Sequence, residues 1–526
     1  MVAAEEPDRA RGSAAQRWAV VAATVLLGSL LAAWALLTPA FRGADEGMHV
    51  STTIRLAESG RYPEPGRAMV EPSIRAAYQW VEYFGREART PVVARQVWQY
   101  DPPSMELLSA PTMPRRPPAV DQMTQHPPGY YLLLAGAYRQ LDLHSTGPVV
   151  MLLALRALSL LLLLPLPWLC AVVARQVGLS PRAAAATAFL PASWMQFVDV
   201  SATVTNGTLL VLLSSIAIAL LVPVTQGDVR ARRALWLGFV VALALLTKGF
   251  ALALPPMIAV AYLMGARTAG WAPALRGMLV ALLTTGLGLW WWVLNVVRHG
   301  ELQPKGGVSF PAADVIPPLT QWVHDFSFTF MRTLWIAVGW NEGTPPVWLY
   351  TSATVVFALL LVAGSWALRG RRVVLLMHLA WLGPLAIVVS GSVGEFFYSG
   401  TTRAAQGRYV QTAVVAFAVL VAAALARFGR VLTWVPLVTM LSAVAGTAYG
   451  LHHFWAPAAG QHPWLGRLET VGSWLPGGLA TLGAVLAVAV LAGITGYLAV
   501  RAVPDSHPNV ADRPASGAHS LVAAAR

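Results

Sequence analysis

Carboxylates are scarce in this chain, with 24 Asp and Glu among 526 residues, so two standing together just beyond a long apolar run draw notice. Asp45 and Glu46 do so after the run that ends at Leu37, and His49 follows them. On a helix, residues four apart share a face, so Asp45 and His49 would aim at one small volume. A carboxylate held there can take a proton from an attacking hydroxyl. The plainer alternative is a solvated first helical turn, where acids are favoured by the helix dipole. Lys248, which with Lys305 makes up the chain's lysines, interrupts a second apolar run within Leu246-Thr247-Lys248-Gly249. A lysine in that setting is costly unless it meets water or an anion, although its stem also lets it snorkel to the headgroups. Arg403 and Arg408, interleaved with Gln406 and Tyr409, form a third polar group, and Asp199 with Asn206 a fourth. Arg408 reads either as an anion ligand or as an anchor paired with Glu395.

The elements that must position these groups are membrane helices. At 56% hydrophobic and 12% charged residues, with a mean hydropathy of +0.58, the chain is too apolar for a soluble domain. The net charge of +13 comes from short basic clusters between apolar runs, which is a topology signal and not a nucleic-acid footprint. The single cysteine, Cys170, excludes a disulfide within the chain. The pattern predicts an all-α, polytopic transmembrane helical bundle of about twelve spans with both termini cytoplasmic. Residues 1–17 are a cytoplasmic segment leading into an uncleaved first span, 18–500 the membrane-embedded domain, and 501–526 a disordered cytoplasmic tail. Residues 39–147 form a long first outer loop with interfacial helices at 49–59 and 126–139, and 298–346 a second large outer loop. The run 235–264 folds as a hairpin of two short helices with Lys248 at its apex. Trp290, Trp291 and Trp292 read as an interfacial belt. On this topology Asp45, Glu46, His49, Asp199, Asn206, Lys248, Arg403 and Arg408 all face the outer side.

Four short motifs occur in order along this topology. They are Asp45-Glu46-x-x-His49, His126-Pro127-Pro128-Gly129-Tyr130-Tyr131, Leu246-Thr247-Lys248-Gly249 and Gln406-Gly407-Arg408-Tyr409. Together they resemble the landmarks of bacterial GT-C class glycosyltransferases that use polyprenyl-phosphate sugars, in particular the multi-pass branch related to aminoarabinose and protein-mannosyl transferases. The resemblance runs from the first span to about residue 426. It implies inverting transfer of a sugar from a polyprenyl-phosphate donor to a hydroxyl of an envelope glycan, lipid or protein, at the extracytoplasmic face of the cytoplasmic membrane. It makes Asp45 the base, supported by Glu46, and gives the donor phosphate to Lys248, Arg408 and Arg403. His49, His126, Asp199, Asn206, Gln406 and Tyr409 would support them. In metal-dependent members Asp45 would ligate a divalent cation, Mg or Mn. One departure bears on that: relatives often carry an acid after the residue matching Asn206, where this chain has Gly207, leaving Asp199 as the candidate substitute. An envelope lipid or polysaccharide transporter and a non-catalytic scaffold are the alternatives. The first predicts charges at mid-span and a duplicated plan, whereas most spans here lack charge, the acids cluster at one surface and the two halves do not look like duplicates.

Overall fold

The computed structural model describes residues 5–81, 91–92, 103–304, 311–343, 345–458, 460–475 and 477–505. These residues are helical with two isolated backbone bridges, Met69–Val120 and Val92–Trp455, and no strand among them. Lys305 and the tail beyond residue 505 lie outside the described residues. The chain is a polytopic all-α membrane protein. Among the described residues, eight helical stretches are long and apolar enough to cross a bilayer, or nine when Trp271–Gly288 and Trp290–His299, bent by 53°, are taken as one.

The difference from twelve has local causes. The run 183–198 is not one helix but Pro181–Thr187, a turn at Leu190–Ser193 and Met195–Ser201. Pro191, which lacks an N–H, stands at the break. Ala231–Leu245 has only 15 residues. The stretch Gly407–Phe454 counts once at 48 residues, yet it holds the helices Val414–Leu425 and Val435–Phe454 on either side of a kink at Gly429. At 1.5 Å per residue its roughly 70 Å suffices for two crossings.

The first helix, Glu5–Leu37, continues unbroken through Arg17 and packs along the last, Gly478–Ala502. Its C-terminal carbonyls, orphaned as at every helix end, are taken up by a buried arginine from a later helix. Arg156 donates from Nη1 to Ala35 O at 2.6 Å and Thr38 O at 2.7 Å, and from Nη2 to Pro39 O at 3.1 Å.

The long loop after the first helix has a core of its own, in which Phe41, Val50, Ile54, Ile74, Met105, Tyr130, Tyr131 and Leu134 are buried. The helix Glu46–Ser59 sits inside this core against Gly129–Gln140, with His49, Val50, Ile54 and Ala57 buried. It is therefore not a helix lying on a membrane surface, because its i, i+4 stripe is spent on protein contacts. Gly129–Gln140, by contrast, exposes Leu132 and Leu133, an apolar face suited to hydrocarbon. The tryptophan belt is also corrected. Trp290 is half exposed, but Trp291 packs edge-on to Tyr62 at 5.2 Å, and Trp292 is buried with Nε1 donating to Leu245 O at 3.1 Å.

Candidate active site

Asp45 does not start the helix it was expected to share with His49. It is the residue before it, in the left-handed region at φ 60°, ψ 8°, and Phe41 in the same turn has φ 62°. Non-glycine residues there cost on the order of 1–3 kcal/mol each, least for Asp, so something must hold the turn. Two buried ion pairs flank it. On one side Arg42 Nε donates to Glu342 Oε1 at 3.1 Å, with a second, closer contact between Arg42 Nη2 and Oε2, and His453 Nε2 stands 3.6 Å from Glu342 Oε2. On the other, Glu46 accepts from Arg156 Nε at 2.8 Å and Nη2 at 2.7 Å, and from the Val204 amide at 3.0 Å. The bracket turns Asp45 into a cavity of about 740 Å³ and leaves Glu46 outside its wall. The two adjacent carboxylates expected to work together face different surroundings.

Inside the cavity Asp45 meets Arg408 and shares the wall with Lys248. Arg408 Nη2 lies 3.5 Å from Asp45 Oδ2, and the Arg408 side chain is 8% exposed. Lys248 lines the same wall, and Asp45 and Arg408 are the charges it senses. It forms no ion pair with a described carboxylate, and its Nζ rests 5.7 Å from the Tyr409 ring centroid and 6.0 Å from that of Phe250. Lys248 stands at the turn between Ala231–Leu245 and the helical segment from Gly249.

Two glycines of the motifs allow the wall to close. The Gly129 amide donates to Leu246 O at 2.7 Å, and a Cβ at Gly129 would fall 2.6 Å from that oxygen. This contact ties the His126 motif to the Lys248 motif. At Gly407 a Cβ would lie 2.3 Å from Phe330 O, while its amide donates to Thr333 Oγ1 at 2.7 Å. Only glycine admits that approach, which seats the Gly407–Ala413 turn and with it Arg408.

Arg403, expected at the donor phosphate, lines the cavity, as do the supporting residues His49, His126, Gln406 and Tyr409. His49 Nδ1 is 2.9 Å from Tyr131 Oη, and its ring stacks on His126 with centroids 6.5 Å apart. Burial, then Lys248, His126 and Arg408, hold the His49 imidazole well below its ordinary value. Burial and Lys248 bring His126 down to about 3. Both rings are thus neutral near pH 7. Arg403 Nε donates to Thr401 Oγ1 at 2.9 Å. Asp199 and Asn206 are buried but do not line the cavity. Asp199 accepts from the Gly339 amide at 3.2 Å and Gln196 Nε2 at 3.3 Å, and burial pushes it up to about 8. Asn206 Nδ2 lies 3.5 Å from Thr247 O.

The donor set around Asp45 does not fit the divalent cation that metal-dependent members would hold there. Asp199 does not join Asp45, no group of three His, Cys, Asp or Glu comes together among the described residues, and Asp45 faces an arginine and a lysine. A divalent cation would be repelled by both neighbours.

Sequence reasoning missed several residues. Arg156 was legible in principle, since a charge inside an apolar run demands a partner. Asp121 holds the loop by accepting from Ser51 Oγ at 2.8 Å and Thr52 Oγ1 at 3.0 Å, and burial pushes it up to about 6. Gln411 and Thr412, which line the cavity beyond Arg408, had no signal beyond their place at the head of an apolar run.

The chain is similar to ArnT from Cupriavidus metallidurans in its crystal structure bound to undecaprenyl phosphate, at 14% identity over 92% of this chain and 76% of ArnT, with a TM-score of 0.48. It is also similar to the Archaeoglobus fulgidus oligosaccharyltransferase in complex with Zn and sulfate, at 12% identity and a TM-score of 0.41. There it covers 81% of its own length and spans 53% of the archaeal chain. No curated protein matches it. Residues 29–417 match the family model described as "Predicted membrane protein (DUF2142)", and since that is well over half of the sequence, the chain belongs to this family of membrane proteins.

Proposed function

We propose that the chain is a glycosyltransferase that moves a sugar from a polyprenyl-phosphate donor to an acceptor hydroxyl, with inversion, at the extracytoplasmic face of the cytoplasmic membrane. One observation carries the reading: Asp45, Arg408 and Lys248 share the wall of a single cavity, with the Asp45 carboxylate 3.5 Å from the Arg408 guanidinium. The acceptor oxygen attacks the anomeric carbon while Asp45 takes its proton. The bond from that carbon to the phosphate oxygen breaks on the opposite face, and the electron pair leaves with the polyprenyl phosphate. Arg408 and Lys248 stabilise the charge that develops there. The loose contact with Asp45 leaves most Arg408 N–H groups for phosphate oxygens.

His49 and His126, neutral and close to the cations, add no further charge that would compete with them for the phosphate. Glu46 acts through the turn and not on the substrate, since its oxygens are committed to Arg156 and Val204.

Asp45→Asn keeps the size of the side chain and removes the base. Transfer from a polyprenyl-phosphate sugar, followed by product formation in vesicles, is expected to fall by about 10²- to 10⁴-fold. Binding of undecaprenyl phosphate, the lipid in the ArnT structure, should persist. Transfer at the unsubstituted rate would remove this mechanism.

A further inference from the structure

The cavity wall holds a second set of polar atoms that the phosphate chemistry does not use. Gln411 Nε2, Thr412 Oγ1, Gln406 Oε1 and His126 Nδ1 are all buried and have no hydrogen-bond partner among the described residues. All four residues line the cavity. Gln411 is 4% exposed and Thr412 8%, so bulk water does not serve them. A buried polar group left unsatisfied costs roughly 1–3 kcal/mol, and such groups are few in native proteins. Four of them on residues that line one cavity could be paired by a ligand there.

Their arrangement follows from the turn. Gly407–Ala413 is a 3-10 helix, in which side chains three apart eclipse. Gln411 therefore stands above Arg408, and Thr412 above Tyr409, while Gln406 precedes the turn in an extended conformation. The terminal amide torsions of the glutamines are broad, so these groups can turn toward a ligand without moving backbone. Taken together the set contains donors and acceptors and carries no charge. A phosphate would need donors alone. A ring of vicinal hydroxyls, each able to donate and accept, is what this mixture fits.

We infer that Gln406, Gln411, Thr412 and His126 form the subsite for the sugar of the lipid-linked donor, and that this sugar is a neutral, hydroxyl-rich one. The inference rests on the lipid-phosphate reading above and adds to it the chemical class of the transferred group. It also assigns division of labour along one turn: Arg408 to the phosphate, the residues of the next turn to the hydroxyls.

The test uses the full chain in nanodiscs and compares undecaprenyl phosphate with undecaprenyl-phosphate glucose, in the unsubstituted protein and in Gln411→Leu with Thr412→Val. Removing these polar atoms leaves shape nearly unchanged and should leave thermal stability without ligand equal or higher, which a structural role would not allow. The unsubstituted chain is expected to prefer the glucose-bearing lipid, and the double variant to lose about tenfold of that preference while binding undecaprenyl phosphate as before. Equal weakening toward both lipids, a preference that survives the substitutions, or no preference in the unsubstituted chain overturns the subsite. If the unsubstituted chain binds neither lipid, the lipid-phosphate reading falls and the subsite with it, whereas a surviving preference removes the subsite alone.

Discussion

The wall behind Asp45 and the cavity in front of it are built from the same kinds of residue, and they differ in how fully those residues are hydrogen-bonded. Behind, Glu46 and Arg156 exchange two hydrogen bonds, the Val204 amide takes a further place on the carboxylate, and three backbone carbonyls take up the rest of the guanidinium. In front, Arg408 reaches one carboxylate oxygen at 3.5 Å, Lys248 reaches none, and four amide, hydroxyl and imidazole atoms are unpaired. Saturation marks a group whose work is to hold backbone in place. Its absence at equal depth, in the wall of a cavity, leaves a group able to pair with whatever the cavity takes in.

The largest expected effect tests the saturated side. Glu46→Gln leaves the Arg156 charge buried without its partner, which should lower stability by about 3–5 kcal/mol. Asp45→Asn, one residue away, should change it by less than about 1 kcal/mol. Thermal unfolding of both variants in the same detergent reads the contrast. Equal losses would show that adjacency in sequence, and not hydrogen bonding, sets the role of each acid.

The unsaturated side is tested next. Lys248→Met keeps the length and apolar stem of the side chain and removes the ammonium. Undecaprenyl phosphate should then bind about 10- to 100-fold more weakly, the range of one charge-assisted hydrogen bond, while stability holds. Unchanged binding would make Lys248 a residue that merely rests on Tyr409 and Phe250, and the comparison would lose its cationic half.

Much of this was legible in the chain itself. The apolar runs gave the membrane helices, and the punctuation at Lys248 gave the turn there, because both follow from local period and charge. The breaks at Pro191 and at Gly286–Gly288, and the merging of 407–454, depend on how helices bend against neighbours. Asp45, Lys248 and Arg408 could be named as candidates, but their meeting could not, since the contact runs through Gly129 on Leu246 and Gly407 on Phe330. Glu46 misled for an instructive reason. Nothing local distinguishes it from Asp45, and what separates them is a left-handed turn and an arginine 110 residues away.

His126 offers the smallest effect and the finest test of the contrast, because it is a cavity group that the fold keeps neutral without giving it a partner. Its native pKa is pulled down to about 3, against about 6.5 in the unfolded chain. Between those values the unfolded state binds the proton and the folded state does not, so stability is intact above about pH 6.5 and falls as the pH drops below it. At pH 5.5 the share due to His126 is on the order of 1.4 kcal/mol. His126→Gln keeps a polar side chain that does not titrate, so its unfolding curve between pH 6.5 and 5 should be flatter than that of the unsubstituted chain by that amount. The remaining slope belongs in part to His49, whose imidazole is shifted in the same direction by burial, Lys248, His126 and Arg408. A variant with an unchanged slope would mean that His126 accepts a proton in the folded state at ordinary acidity. An imidazolium would then stand beside Lys248, and the cavity would be able to take more negative charge than one phosphate carries.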